Sequence, residues 1–187
     1  HGGQRPCVLG PGLALEPTAE AVGSARPAPA LAVGFALAKG ERPEWTVQKL
    51  TECGIDRIVP FVGMRSVVRW EPERAQKNWL RLGRIGREAA MQCRRVWLPV
   101  VEPVTDFFTL AGAGTPGVAM ADIEGERPDL ARPFVLVGPE GGWSEEERAL
   151  GLPAVRLGAH VLRAETAAVA AGVLLGALRD GLVNSSG

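Results

Sequence analysis

From Leu31 onward, short β-branched apolar runs alternate with helical stripes, and this alternation restricts the possible folds more than any other feature. "LAVGFAL" (31–37), "DRIVPFV" (56–62), "RSVVRW" (65–70), "VWLPVV" (96–101), "GVAMA" (117–121), "FVLVG" (134–138) and "AVRLG" (154–158) each read as a strand. Their apolar residues run together, as in strands covered on both faces. Between them, "RPEWTVQKLTECG" (42–54) predicts a helix with Pro43 in its first turn and Gly54 as its stop. The longest helix is expected from Pro72 to about Cys93. There Ala75, Trp79, Leu82, Ile85 and Ala89 form one apolar stripe, with Arg74, Arg81, Arg84 and Arg87 largely off it. "TDFFTL" reads as a short helix, Ser144 and Glu147 as a capping box, and Glu165 to Leu182 as the last helix. This order predicts an α/β fold over residues 31–187, a mostly parallel sheet with helices on both faces. Residues 1–30, rich in Pro, Gly and Ala, read as a linker or the remnant of a small domain.

Charge is balanced overall, with 21 basic and 21 acidic residues, but unevenly placed. Ten basic residues face three acidic ones between Arg57 and Trp97, while eight acids face three arginines between Met120 and Leu150. A basic half beside an acidic half suits a nucleic-acid partner on one face, and it equally suits a solvated Arg-rich helix. Cys7, Cys53 and Cys93 are too scattered for a disulfide framework or a zinc site, so a reducing cytoplasm and no metal are expected. The apolar run from Thr166 to Leu178 is too short to span a bilayer, so no membrane partner is expected.

Ligands of parallel sheets collect outside the carboxyl ends of the strands. Two stretches fall there: Gly138 to Gly142 after "FVLV", and Gly158 to Arg163 after "AVRL". The first resembles a phosphate loop, yet the helix behind it opens with Glu145, Glu146 and Glu147, which repel a di- or triphosphate. There is no Lys-Ser or Lys-Thr after the glycines and no GxGxxG spacing. A neutral or cationic ligand held by backbone groups fits better, and S-adenosylmethionine is one. In the last helix Ala168, Gly172 and Gly176 form a small-residue ridge, either for packing on the sheet or for a dimer seam.

"VGPEGGWSEEE" and "LGAHVLRAETAAVAA" together resemble the paired cofactor motifs of the RsmE family, 16S ribosomal RNA uracil-N3 methyltransferases of the SPOUT superfamily. "EWTVQKLTECGIDRIVP" resembles that family's Gln-Lys-x-x-Glu-x-Gly segment, and "EAAMQCRR" its Glu-Ala-x-x-Gln-Ser-x-Arg segment. The four matches run in order from about Lys39 to Leu178. The resemblance implies a C-terminal trefoil knot holding S-adenosylmethionine and a homodimer through the C-terminal helix. It also implies methylation of 16S rRNA or the small ribosomal subunit, by analogy at uridine 1498. An RNA-binding or ribosome-assembly dimer without turnover, and a SPOUT enzyme acting on another RNA such as tRNA, stand as alternatives.

Carried over by position, Val137, Gly138, Glu140, Gly141 and Gly142 form one wall of the cofactor pocket. Leu157, Gly158, Val161, Leu162, Arg163, Thr166 and Ala167 form the other. Gln92 and Arg95 match the family's polar pair and would face the RNA or target base, with Arg65, Arg84, Arg87 and Arg94 as further RNA contacts. Lys49 and Glu52 fit either a structural ion pair or a functional role. Attack by uracil N3 needs loss of its imide proton, so Arg95, with Arg94 or Arg163, would stabilise the developing anion and Glu140 or Glu165 would accept the proton. Trp143 is expected to cover the cofactor or to pack its loop, and a base-stacking use falls to Trp70 or Trp97. The chain departs from the pattern at Cys93, where Ser is usual, and at Ala159-His160 in place of Pro-Arg. Family members also carry an N-terminal PUA-like β-barrel, for which the 38 residues ahead of Lys39 are too few, so a truncation is expected.

Overall fold

A computed structural model describes residues 2–112 and 115–184. The chain opens with two small antiparallel ribbons. One pairs β1 (Gly3–Gln4) with β4 (Val22–Gly23), and the other pairs β2 (Cys7–Leu9) with β3 (Leu15–Pro17). The remaining strands are β5 (Ala32–Ala36), β6 (Arg57–Val62), β7 (Val100–Val101), β8 (Thr105–Asp106), β9 (Val118–Glu126), β10 (Phe134–Val137) and β11 (Ala154–Val155). They form one sheet in the order β11-β9-β10-β5-β6-β7, with β8 also on β6, and every pairing is parallel. Five helices accompany them: α1 (Arg42–Glu52), α2 (Pro72–Gln92), α3 (Phe107–Gly112), α4 (Glu145–Arg148) and α5 (Ala164–Arg179).

Continuous apolar strands divide their side chains between two buried clusters, as the pleat requires. Val33, Phe35, Val135 and Val137 pack with Val47 and Leu50 of α1, Leu82 of α2 and Ala168, Ala171 and Leu175 of α5. Ala32, Ala36, Phe134 and Leu136 face the other way, onto Phe61, Phe107, Leu110 and Trp143. Leu82 and Ala89 of the expected α2 stripe are buried, while Arg74, Arg84 and Arg87 face solvent. Lys49 and Glu52 form an ion pair at 2.8 Å.

Several elements differ from expectation. "RSVVRW" is a loop, with the Gly63 amide bonded to Ser66 Oγ and Val67 exposed. The side of β6 away from β5 is taken by β7 and then β8, so this segment has no place beside β6. Only Val100–Val101 of "VWLPVV" pairs, because Pro99 carries no N–H to donate. "AVRLG" shortens to Ala154–Val155, and α5 ends at Arg179 rather than Leu182.

The Ala168-Gly172-Gly176 ridge packs inside the chain. A Cβ on Gly172 would lie 2.9 Å from Leu50 Cδ2, and one on Gly176 would lie 2.7 Å from the Cys53 carbonyl oxygen. These glycines let α5 lie against the end of α1, so a dimer seam on this face is ruled out.

Candidate active site

A cleft of about 470 Å³ opens at the carboxyl ends of β10 and β11, over the middle of β9, within the size range of small-molecule sites. Its first wall is the loop after β10. A Cβ on Gly138 would lie 3.0 Å from the Trp143 ring, so a side chain here would push against that ring. The Gly142 amide donates to the Pro139 carbonyl at 2.8 Å, with Gly142 in the left-handed region at φ +70°. Trp143 is buried, stacks on Phe61 with 6.1 Å between ring centres, and donates its indole N–H to the Ala121 carbonyl at 2.9 Å. Its ring therefore packs the loop and lines the cleft at the same time.

α4 follows with its capping box in place. The Ser144 hydroxyl accepts from the Glu147 amide, and the fully buried Glu147 carboxylate accepts from the Ser144 amide at 2.7 Å. Glu147 also accepts from the Met64 amide at 2.8 Å, which ties the loop after β6 to the glycine loop. Arg65 adds a second tie by donating to the Gly141 carbonyl at 3.1 Å. One of the three glutamates is therefore a structural group. Glu146 is held below its ordinary value by its own backbone N–H and by Ser144.

The second wall runs from Leu157 to Ala164, and the floor is Ala121, Asp122 and Ile123 in the middle of β9, just past its last rung with β10 at Met120. Asp122 pairs with Arg148 at 2.8 Å. Burial pushes the Asp122 carboxyl up, but the Glu124 backbone N–H and the Arg148 guanidinium outweigh it and hold it below its ordinary value. The lining is thus apolar side chains and glycine backbone, with Asp122, Glu140, Arg148 and Arg163 as its charged groups.

Val137, Gly138, Glu140, Gly142, Leu157, Gly158, Val161, Leu162, Arg163 and Ala167 all line the cleft. Gly141 does not, because it turns toward the Arg65 side chain. Thr166 lies instead on an apolar groove with Trp45, Val169, Ala170, Val173 and Leu174. Glu165 sits behind the cleft lining, its Oε1 3.8 Å from Arg42 Nε, and Arg42 Nη1 reaches Glu140 Oε1 at 2.7 Å.

Arg95 is the main correction. It donates to the carbonyls of Thr51 and Ile55 at 3.0 and 2.7 Å and to Asp56 at 3.0 Å. Asp56 also accepts from the Leu31 amide and from Arg179, so this cluster lies at the amino ends of β5 and β6. The cleft lies at the opposite edge. Arg163 is the N-cap of the 16-residue α5 and Arg179 its last residue, so roughly 24 Å of helix separates them. Burial lowers the Arg95 guanidinium from its ordinary value, with Asp56 opposing, as befits a buried structural cation.

The expected RNA contacts do not converge either. Arg65 lies beside the glycine loop, Arg84 and Arg87 are exposed along α2, and Gln92 and Arg94 sit at its far end near Arg95. Trp97 is occupied by the N-terminal segment: its indole donates to the Ser24 carbonyl at 3.1 Å, and Arg26 lies over its ring. Trp70 packs against the core.

Sequence reasoning passes over Asp122, Arg148 and Arg42. The first two depend on which strand lies between β10 and β11. The only local sign at Arg42 is a cation in the first turn of a helix, where the dipole disfavours one. Among the described residues no cluster of His, Cys, Asp or Glu is arranged to hold a metal ion, and no helix is long and apolar enough to cross a membrane.

Walls of glycine backbone and apolar side chains at the carboxyl edge of a parallel sheet define a small-molecule site on a SPOUT-like α/β fold. The family model for the RNA methyltransferase domain matches residues 26–176, and the chain belongs to that family, within the RsmE group that its four motifs resemble. It is similar to ribosomal RNA small subunit methyltransferase E of Mycobacterium bovis, with 34% identity over 160 residues, 76% of this chain and 61% of the relative. The Bacillus subtilis protein of that name is 32% identical over 155 residues, 72% of this chain and 60% of its own. The chain therefore spans about three fifths of the length of these curated relatives.

Among solved structures, a ribosomal RNA small subunit methyltransferase E from Neisseria gonorrhoeae bound to S-adenosyl methionine superposes with a TM-score of 0.69 at 31% identity, covering 79% of this chain and 67% of that one. A Legionella pneumophila methyltransferase in complex with the same cofactor gives a TM-score of 0.73 at 28% identity, covering 87% and 72%.

Proposed function

We propose that this chain carries the catalytic domain of an S-adenosylmethionine-dependent methyltransferase acting on uridine N3 in 16S ribosomal RNA. The observation that carries the reading is the cleft, built from the two motif stretches, 137–143 and 157–167, that the sequence places at strand ends. Its donor set fits the cofactor. Val137, Leu157 and Leu162 offer apolar contact for an adenine, the glycine loop offers backbone groups, and the paired acids and arginines leave no cationic cradle for a di- or triphosphate.

When bound there, S-adenosylmethionine supplies an electrophilic methyl group on a sulfonium. The chain's own groups would hold the uracil in line, stabilise charge on its oxygens and take the N3 proton. With Arg95 engaged at the opposite edge, Arg163 is the guanidinium at the cleft suited to the anion. Glu140, at the rim, is the better placed of the two proton acceptors, because Glu165 lies behind the lining. The RNA would lie along the exposed arginines of α2 and Arg65, while a knotted path over residues 134–179 is carried by the resemblance alone.

A homodimer belongs to the same reading, but its contact moves to the outer face of α5. There Trp45, Val169, Ala170, Val173 and Leu174 line an apolar groove, with Val173 52% exposed. Calorimetric titration of S-adenosylmethionine, with ATP as control, tests the ligand, and transfer of labelled methyl to small-subunit RNA tests the reaction. Tighter binding of ATP would refute the cofactor assignment. Binding without transfer would favour an RNA-binding dimer.

A further inference from the structure

Two walls of the cleft come from parts of the chain that no ladder joins. Glu140 belongs to the loop after β10, and Glu165 to the first turn of α5 beyond the loop after β11. In the sheet β9 lies between β10 and β11, so no strand-to-strand bond links those two loops. At the cleft, a side chain from a third element makes an ionic connection between them. Arg42, in the first turn of α1, places Nη1 2.7 Å from Glu140 Oε1 and Nε 3.8 Å from Glu165 Oε1.

We propose that Arg42 is a positioning residue that clamps the two walls of the cleft together and so fixes the geometry in which the sulfonium ligand is held; this rests on the cofactor reading above. Helix chemistry does not ask for a cation at this point, since the amino end of a helix favours acids. Its base is firm: Val47 and Leu50 anchor α1 in the core, and the Gly172-Gly176 ridge seats α1 against α5. Glu165 is 17% exposed and its second carboxylate oxygen is buried with no hydrogen-bond partner, so Arg42 is the charge that offsets it. Without Arg42 both carboxylates, Glu140 on the first wall and Glu165 behind the second, would lose the cation that lies between them. A planar guanidinium also reaches two acids in different directions, which a lysine ammonium on a flexible stem does less well. Arg42 and Glu140 are partly exposed, so screening keeps each contact weak, and the expected effects are several-fold rather than absolute.

Two measurements on the intact chain test the clamp. Amide hydrogen exchange without ligand reads it independently of what binds. Arg42→Met is expected to speed exchange at Gly142 and Ala167 by about three- to tenfold while leaving β5 and β6 unchanged, with Arg42→Lys in between. Titration with S-adenosylmethionine reads the consequence. Arg42→Met and Glu140→Gln should each raise Kd about three- to tenfold, and the double variant little further, because both remove the same contact.

Unchanged exchange in Arg42→Met, or strictly additive losses in the double variant, overturns the clamp. A parent chain that fails to bind S-adenosylmethionine overturns the cofactor reading instead, with the exchange measurement still deciding the clamp. Should Arg42→Met not fold, Arg42→Lys and Glu140→Gln carry the same comparisons.

Discussion

Arg95 commits three hydrogen bonds to the end of α1 and the start of β6, and its removal should be read as a stability change. Because Asp56 keeps Arg179 as a partner, Arg95→Ala is expected to cost about 2–3 kcal/mol in urea unfolding. A loss of activity at unchanged stability would instead return Arg95 to the chemistry. Its neighbour Arg94 sits in the left-handed region at φ 58°, where a glycine is at ease. Arg94→Gly should therefore raise stability by about 0.5–1 kcal/mol while removing one exposed charge. Asp122 gives a pH dependence. Its folded pKa lies below its unfolded one, so its contribution is complete above the ordinary carboxylate value near 4 and disappears as pH falls through the lower folded value. Asp122→Asn should flatten the acid limb of the stability curve in that window. The motif "EAAMQCRR" gave residue types here, but the direction of Arg95 follows from the backbone reversal at Arg94, which no local pattern encodes.

Helix α5 has two faces with opposite uses. Gly176 approaches backbone at Cys53, which cannot yield as a side-chain tip would. Gly176→Ala is expected to destabilise by about 1–3 kcal/mol, although alanine in an exposed helix gains roughly 1 kcal/mol over glycine. On the outer face, Val173→Glu should leave urea unfolding of the monomer nearly unchanged and shift sedimentation toward the monomer if the dimer forms there. Both faces carry small or apolar residues, so the sequence left the seam and the packing readings open; the position of α1 decides between them. Periodicity encoded α1, α2 and the central strands well, because one buried face or two sets the pattern directly. It failed at "RSVVRW", where pairing depends on a free sheet edge and β7 and β8 had taken it.

At the scale of the whole molecule, the cleft joins loops after β10 and β11 over a floor from β9. The walls were legible because glycine loops at strand ends announce themselves. The floor was not, since neighbours in a sheet are set by crossover topology and not by sequence distance. A ligand that binds only this assembled site should stabilise the fold by about 2.7 kcal/mol at a hundredfold excess over Kd. That corresponds to a melting shift of roughly 5–11 °C for a chain of this size, measurable by calorimetry with and without S-adenosylmethionine. The strand order has a consequence for synthesis as well. With β9 made before β10, β11 and α5, and the cleft lined by all of these or the loops between them, the site has no partial form. During synthesis the chain becomes ligand-competent only once α5 has emerged from the ribosome.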